Sequence, residues 1–237
     1  AGLPAALDAL DEGPRAWHLA GEGILTTDTR PKGASVTLAL GDETVTINGI
    51  AKGSGMIQPN MATMLAFVAT DASLDQTLLE ALLRETVDRS FNCITVDGDT
   101  STNDACMLIS TRQGARVASD EAIAVFRNGL QRVMTELAQA IIRDGEGATK
   151  FVTLQVKGAS TRQEALDVAF TVAHSPLVKT ALYASDANWG RILAAVGRAP
   201  VADFDVSRVA IDLGGVRLVE AGGRAAGYTE EAGSAVM

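Results

Sequence analysis

The sequence predicts an α/β protein of the α+β type, with mixed β-sheets sandwiched with helices. Three observations carry that prediction. Residues 34–40 and 44–50 are rich in β-branched side chains, alternate in polarity and are separated by Gly41-Asp42-Glu43, the pattern of a hairpin. Ile123, Phe126, Leu130, Val133, Leu137 and Ile141 recur at three- and four-residue steps and so form one stripe of a long helix. Strand-like and helix-like segments interleave, yet tight turns join several strands, which excludes a wholly parallel sheet.

Taken in order, residues 1–20 contain many helix formers, with Leu3, Leu7 and Leu10 near one face, and Gly21-Glu22-Gly23 ends that pattern. Arg30-Pro31-Lys32-Gly33 reads as a turn ahead of the hairpin. A glycine-rich loop, residues 51–60, leads into a strand at 63–70, and Ser73 is placed to cap a helix over 74–90. A polar loop at 96–104 precedes an apolar segment at 105–110, and Ser119 opens the long helix, which ends at Asp144-Gly145-Glu146-Gly147. Beyond it the pattern predicts a strand at 151–156, a helix at 162–173 after Thr161, a short helix opened by Asn188 with Trp189 as packing anchor, and a strand pair at 206–212 and 216–219.

Composition narrows the function. Twenty basic against 29 acidic residues give a net charge of -9, which argues against a nucleic-acid phosphate partner. Apolar runs such as residues 64–69 are far shorter than the ~20 residues that span a bilayer. Two cysteines without a CxxC and two histidines in 237 residues indicate no disulfide scaffold and no metal centre, and a cytoplasmic location is expected. Cys93 and Cys106 read as small core hydrophobes, and His174 as an ordinary loop histidine. The chain opens at Ala1 without a leader pattern and closes on Gly-, Ala- and Glu-rich residues, as expected of a piece of a longer protein.

The glycine-rich loop is where chemistry concentrates. Lys52-Gly53-Ser54-Gly55 has the wrong order for a phosphate loop, which places its lysine after the last glycine and at a helix start. Gly53 and Gly55 permit tight or left-handed backbone, and Pro59 fixes the chain ahead of Asn60-Met61-Ala62-Thr63. A constrained loop of this kind can present the Thr63 hydroxyl to the preceding carbonyl, which permits an N→O acyl shift and hydrolysis. The new terminal amine, with an ordinary pKa of about 7.7–8.0, could then deprotonate its own hydroxyl. By residue type alone, a threonine opening a strand is more commonly structural. Asp97, Asp99 and Asp104 lack the spacing and the closing glutamate of a calcium loop and read as turn and capping carboxylates.

Three strings change the balance: KGSGMIQPNMATMLAFVATDA at 52–72, TVDGDTSTNDA at 95–105 and SPLVKTALYASDANWGRILAAVGRAP at 175–200. Long, ordered along the chain and distinctive, they resemble the glutamate N-acetyltransferase / ornithine acetyltransferase family of arginine biosynthesis. The resemblance covers the sequence from about Ile24 onward. It implies the family's own sandwich fold, with a layout like that of N-terminal-nucleophile hydrolases. It also implies self-cleavage at Ala62–Thr63 into an alpha chain ending with residues 1–62 and a beta chain beginning with residues 63–237. Thr63 matches the nucleophile, and Thr26, Lys52, Thr63 and Glu146 match substrate-binding positions.

The implied reaction moves acetyl from N2-acetylornithine to glutamate through an acetyl-threonine intermediate. No metal or bound cofactor is implied, and acetyl-CoA is an open candidate as co-substrate. The implied assembly pairs the two fragments, as a heterotetramer of two alpha and two beta chains. Two features of the family have no counterpart here: a Thr-Gly pair upstream that helps form the oxyanion hole, and a tail with Asn and Ser or Thr that closes the pocket. A threonine-nucleophile amidase or aminopeptidase, and a non-catalytic truncated chain, stay open as alternatives.

Overall fold

Helix and strand begin where the sequence supplies a cap or an alternating pattern, with informative exceptions. The computed structural model describes residues 2–58, 64–101 and 103–237; Ala62 and Thr63 lie outside them. The chain divides into two units, one up to Ala148 and one from Thr149 to Met237. The expected fragment boundary at 62/63 concerns covalent processing and is a separate matter.

The first unit opens with α1 (Leu3–Asp8) and α2 (Pro14–Gly23). A single helix across 1–20 does not form, because Pro14 lacks the N–H to continue one and serves as a first-turn residue instead. Leu3, Leu7 and Leu10 are exposed rather than a buried face. Gly21-Glu22-Gly23 forms the last three residues of α2, which ends at Gly23 and not ahead of the tripeptide. Gly21 is buried against Ile50 and Pro31, and that packing outweighs the helix cost of glycine, about 1 kcal/mol.

Four strands form one mixed sheet in the order β1 (Lys32–Leu40), β2 (Glu43–Lys52), β3 (Leu65–Thr70) and β4 (Ala105–Ser110). The hairpin pairs along its whole length, from Lys32 opposite Ala51 to Leu40 opposite Glu43, so the expected turn at 30–33 is already strand from Lys32. β3 runs antiparallel to β2 and parallel to β4. The crossover from β3 to β4 contains α3 (Gln76–Asp88). Its N-cap is Asp75, whose carboxylate accepts the Leu78 N–H at 2.8 Å. Ser73 does not cap it: its N–H donates to the Ala115 carbonyl and its own carbonyl accepts the Val117 N–H, which holds it in a bridge to the 115–117 segment two residues before the cap.

The long helix α4 (Asp120–Arg143) is capped by Ser119 and carries Asp120 and Glu121 in its first turn and Arg143 in its last, as the helix dipole favours. It lies across β1 and β2. Its stripe of Phe126, Leu130, Val133, Met134, Leu137 and Ile141 is buried with Val45, Ile47, Ala66 and Val68 of the sheet. Contact is closest at Gly129, where an added Cβ would meet Leu38 Cδ1 at 2.5 Å.

The second unit contains α5 (Arg162–Ala173), α6 (Pro176–Tyr183), α7 (Trp189–Val196), a small antiparallel sheet of β5 (Ile211–Leu213), β6 (Val216–Glu220) and β7 (Gly223–Arg224), and α8 (Glu230–Ser234). Thr161 and Asn188 cap α5 and α7 as the sequence indicates. Trp189 packs with Leu218, Val219 and Tyr228. Residues 151–156 join neither sheet: their alternation is strand-like, but Phe151, Val152 and Leu154 remain 38–40% exposed. Residues 206–208 form a 3-10 turn under an Asp205 cap, which shortens the expected strand. Cys106 packs against the core of the first unit, whereas Cys93 is exposed and not a core residue. Among the described residues no helix is long and apolar enough to cross a membrane.

Gly129→Ala sets two effects against each other. Alanine favours a helix interior by about 1 kcal/mol, while overpacking costs about 1–3 kcal/mol. Urea unfolding should show a net loss of up to about 2 kcal/mol in the wild-type background and a gain in a Leu38→Ala background, where the obstructing side chain is gone. Equal effects in both backgrounds would place the cost elsewhere.

Candidate active site

Three strand ends meet at one end of the sheet. Lys52 closes β2 and stands opposite Leu65, which opens β3; Leu65 in turn stands opposite Ala105, which opens β4. Met64 is bonded to Thr63, and its N–H donates to Asp104 Oδ1 at 2.9 Å, just ahead of β4. Burial pushes the Asp104 carboxyl above the usual aspartate range, although the Met64 N–H, the Ser101 hydroxyl and the Lys52 charge partly oppose that.

Lys52 is buried, at 7% exposure. Its ammonium donates to Thr26 Oγ1 at 3.1 Å, and among the described residues no carboxylate lies within ion-pair distance of it. A buried cation satisfied by a neutral hydroxyl is suited to receive an anionic group, because desolvation has already been incurred in folding.

The loop after Lys52 is held by side chains from two other segments. Gly53 takes φ +148, and its N–H donates to Asp28 Oδ1 at 2.6 Å. Ser54 is buried, and its hydroxyl bonds Thr27 Oγ1 at 2.7 Å. The Ser54 carbonyl accepts the Glu146 N–H at 2.7 Å. Gly55 does not adopt a left-handed conformation; it lies against the end of the Glu146 side chain. A Cβ there would lie 2.9 Å from Cδ of Glu146, whose residue is otherwise exposed. Asp97 fixes the remainder by accepting the Met56 and Ile57 N–H groups at 2.6 and 3.1 Å, the loop-organising role expected of these carboxylates.

Beneath the loop lies an ionic cluster that the sequence reading did not single out. Lys32 Nζ reaches Asp28 Oδ1 at 2.5 Å and Asp144 Oδ2 at 2.6 Å, with side chains 0–3% exposed. Thr29 donates to Asp144 through its N–H at 3.0 Å and also through its hydroxyl. Burial alone would raise both carboxyls. For Asp28 the Gly53 N–H, Lys32 and the Thr26 N–H outweigh it; for Asp144, Lys32 and Thr29 do so; both end below the usual range. One signal was available: Lys32 is in phase with Ala34, Val36 and Leu38, on the face of β1 that packs inward.

Thr26, Lys52 and Glu146 are therefore brought to one loop, while Ala62 and Thr63 lie outside the described residues. A groove of about 680 Å³ between α2 and the hairpin, lined by Trp17, His18, Ser35 and Ile50, shares Lys32 with the ionic cluster and none of its lining with the glycine-rich loop. Cys106, pushed up to about 12 by burial, is no nucleophile. His174 stacks with Phe170 at 5.5 Å in the second unit, at the end of α5.

These features define a mixed α/β protein with a charged, glycine-lined cluster at the end of its sheet. The chain belongs to the ArgJ family, whose profile matches residues 1–237. It is 56% identical over 239 residues to the arginine biosynthesis bifunctional protein ArgJ of Pseudomonas syringae pv. tomato, covering 99% of this chain. It is 55% identical over 240 residues to that of Methylococcus capsulatus, covering 100% of this chain. In both comparisons the chain spans 58% of the length of the relative. The crystal structure of the arginine biosynthesis bifunctional protein argJ from Bacillus halodurans superposes with a TM-score of 0.66 at 39% identity, over 71% of this chain and 80% of that one. The mixed α/β fold expected from the resemblance is the one found.

The lowered carboxyls of Asp28 and Asp144 give a signed expectation. A depressed folded-state pKa contributes stability above the ordinary value of 3.8 and loses it as pH falls through the folded value. Acid unfolding of the wild type should therefore steepen below about pH 4, and Asp28→Asn should be less stable at neutral pH but lose less on acidification. Parallel pH profiles for the two proteins would show that Asp28 carries no such linkage.

Proposed function

We propose that the protein carrying this chain is a glutamate N-acetyltransferase (ornithine acetyltransferase) acting in arginine biosynthesis. The buried Lys52 ammonium, which donates to the Thr26 hydroxyl without a carboxylate at ion-pair distance among the described residues and is set at the sheet end where β3 begins, is the observation that supports it most. Family membership adds the reaction class.

On this reading the Thr63 hydroxyl first attacks the Ala62 carbonyl, the peptide becomes an ester, and water releases it, leaving Thr63 with a free amine. That amine takes the hydroxyl proton while Thr63 Oγ1 attacks the acetyl carbonyl of N2-acetylornithine. The C–N bond breaks, the departing ornithine nitrogen takes the proton, and acetyl remains on Thr63 as an ester. The amine of glutamate then attacks that ester and restores the hydroxyl. Lys52 receives the α-carboxylate common to both amino acids, and Glu146 pairs with the side-chain ammonium of ornithine. No metal or resident cofactor enters these steps. Acetyl-CoA is a candidate second donor, which its incubation with glutamate, in place of acetylornithine, would test.

The two fragments stay associated, as a heterotetramer of two alpha and two beta chains, in the cytoplasm. Support for the associated state is the ladder between β2 and β3, which lie on either side of the cleavage point.

Mass spectrometry of the protein at its natural length, incubated with acetylornithine, should find a terminus at Thr63 and acetyl attached to it. Thr63→Ala should neither cut nor transfer, with activity falling roughly a thousandfold or more. Acetate released at the same rate with and without glutamate, and no acetylglutamate, would identify an amidase instead. An uncut chain that never acquires acetyl would identify a non-catalytic one.

A further inference from the structure

We propose that Lys32 is a positioning residue of this site: by bridging the Asp28 and Asp144 carboxylates it fixes the separation between Thr26 and Lys52 on one side and Glu146 on the other. The inference rests on the substrate-binding reading given above and extends it to residues that touch no substrate.

Each of the three substrate-binding side chains belongs to a different segment. Thr26 sits in the loop before β1, Lys52 at the end of β2, and Glu146 in the turn after α4. Lys32 stands where those segments are tied. Its own backbone pairs with Ala51, next to Lys52. One carboxylate it grips, Asp28, also accepts the Gly53 N–H at 2.6 Å and the Thr26 N–H at 3.4 Å. The other, Asp144, is the C-cap of α4, two residues before Glu146. Arg30 approaches Asp144 only to 3.9 Å and is more than half exposed, so it does not substitute for the buried ammonium.

Stability alone is a poor reason for this arrangement. A carboxylate at a helix C-terminus opposes the helix dipole, and buried ion clusters are often no more stable than apolar packing of the same volume. What the cluster does supply is distance. Two carboxylates converge on one nitrogen at 2.5 and 2.6 Å, and each carries a substrate-binding segment with it. Without the ammonium they would repel, and the two sides of the site would move apart.

The test uses initial-rate kinetics on the protein at its natural length. Asp144→Asn keeps the side-chain size, an acceptor for Thr29 and a balanced Lys32–Asp28 pair. It should raise KM for acetylornithine and for glutamate about tenfold, leave kcat within about twofold, and leave cleavage at Thr63 intact. Ile141→Val, matched to it in melting temperature, should leave both KM values unchanged. Thr29→Val, which removes one donor to Asp144 at an exposed position, should move KM in the same direction by about threefold and covers the case of a misfolded Asp144→Asn. Wild-type KM values in Asp144→Asn, or in Thr29→Val if Asp144→Asn misfolds, would overturn the inference, as would an equal shift in Ile141→Val. Lys52→Ala separates the two readings. A shift in its KM without one in the tested Asp144 or Thr29 variant defeats the positioning role alone, whereas no shift in Lys52→Ala defeats the substrate-binding reading and this one with it.

Discussion

An ammonium buried as deeply as that of Lys32 has to be matched by anions, and the first unit is arranged around that requirement. The match comes from Asp28, four residues away, and from Asp144, more than a hundred residues further along the chain. Satisfying one charge therefore joins the loop before β1 to the far end of α4. The same carboxylates then serve as acceptors for backbone N–H groups of the glycine-rich loop and of Thr29. A charge buried at the start of a strand is thus the fixed point from which three polar segments take their position.

The sheet supplies the other half of the arrangement. β2 and β3 are antiparallel and β3 and β4 parallel, so the end of the first and the beginnings of the other two fall together. That topology collects Lys52, Met64 and Asp104 from well-separated parts of the sequence. The apolar stripe of α4 holds β1 and β2 from one side and keeps those ends in register.

Much of this was legible in the sequence, for identifiable reasons. The hairpin and α4 each combine a clear period with a cap or turn, and local and tertiary preferences agree there. Where they disagree, packing prevails: Gly21 stays helical because Ile50 and Pro31 cover it, and α3 begins under Asp75, two residues beyond Ser73, which is paired with the 115–117 segment. Residues 151–156 show the converse, since alternation specifies a face and not the neighbour that must pair with it. Thr26, Lys52 and Glu146 were found through the resemblance, not through their chemistry, which is unremarkable in isolation. Lys32 was read as a turn residue because a lysine beside a proline and a glycine looks exposed; only its phase with Ala34 and Val36 hinted otherwise. Asp28 and Asp144 carried no local sign, because their partner is distant in the chain.

The order of strands bears on what severing the backbone ahead of Met64 would do. β1 and β2 would remain with one piece; β3, β4 and α4 would go with the other. Val45 and Ile47 on the first piece share their burial with Ala66, Val68 and Leu137 on the second, and Lys32 on the first neutralises Asp144 on the second. Separation would hydrate an oily seam and orphan a salt link at once. Two polypeptides would thus behave as a single folding unit, and the scission would loosen one terminus without releasing a subunit.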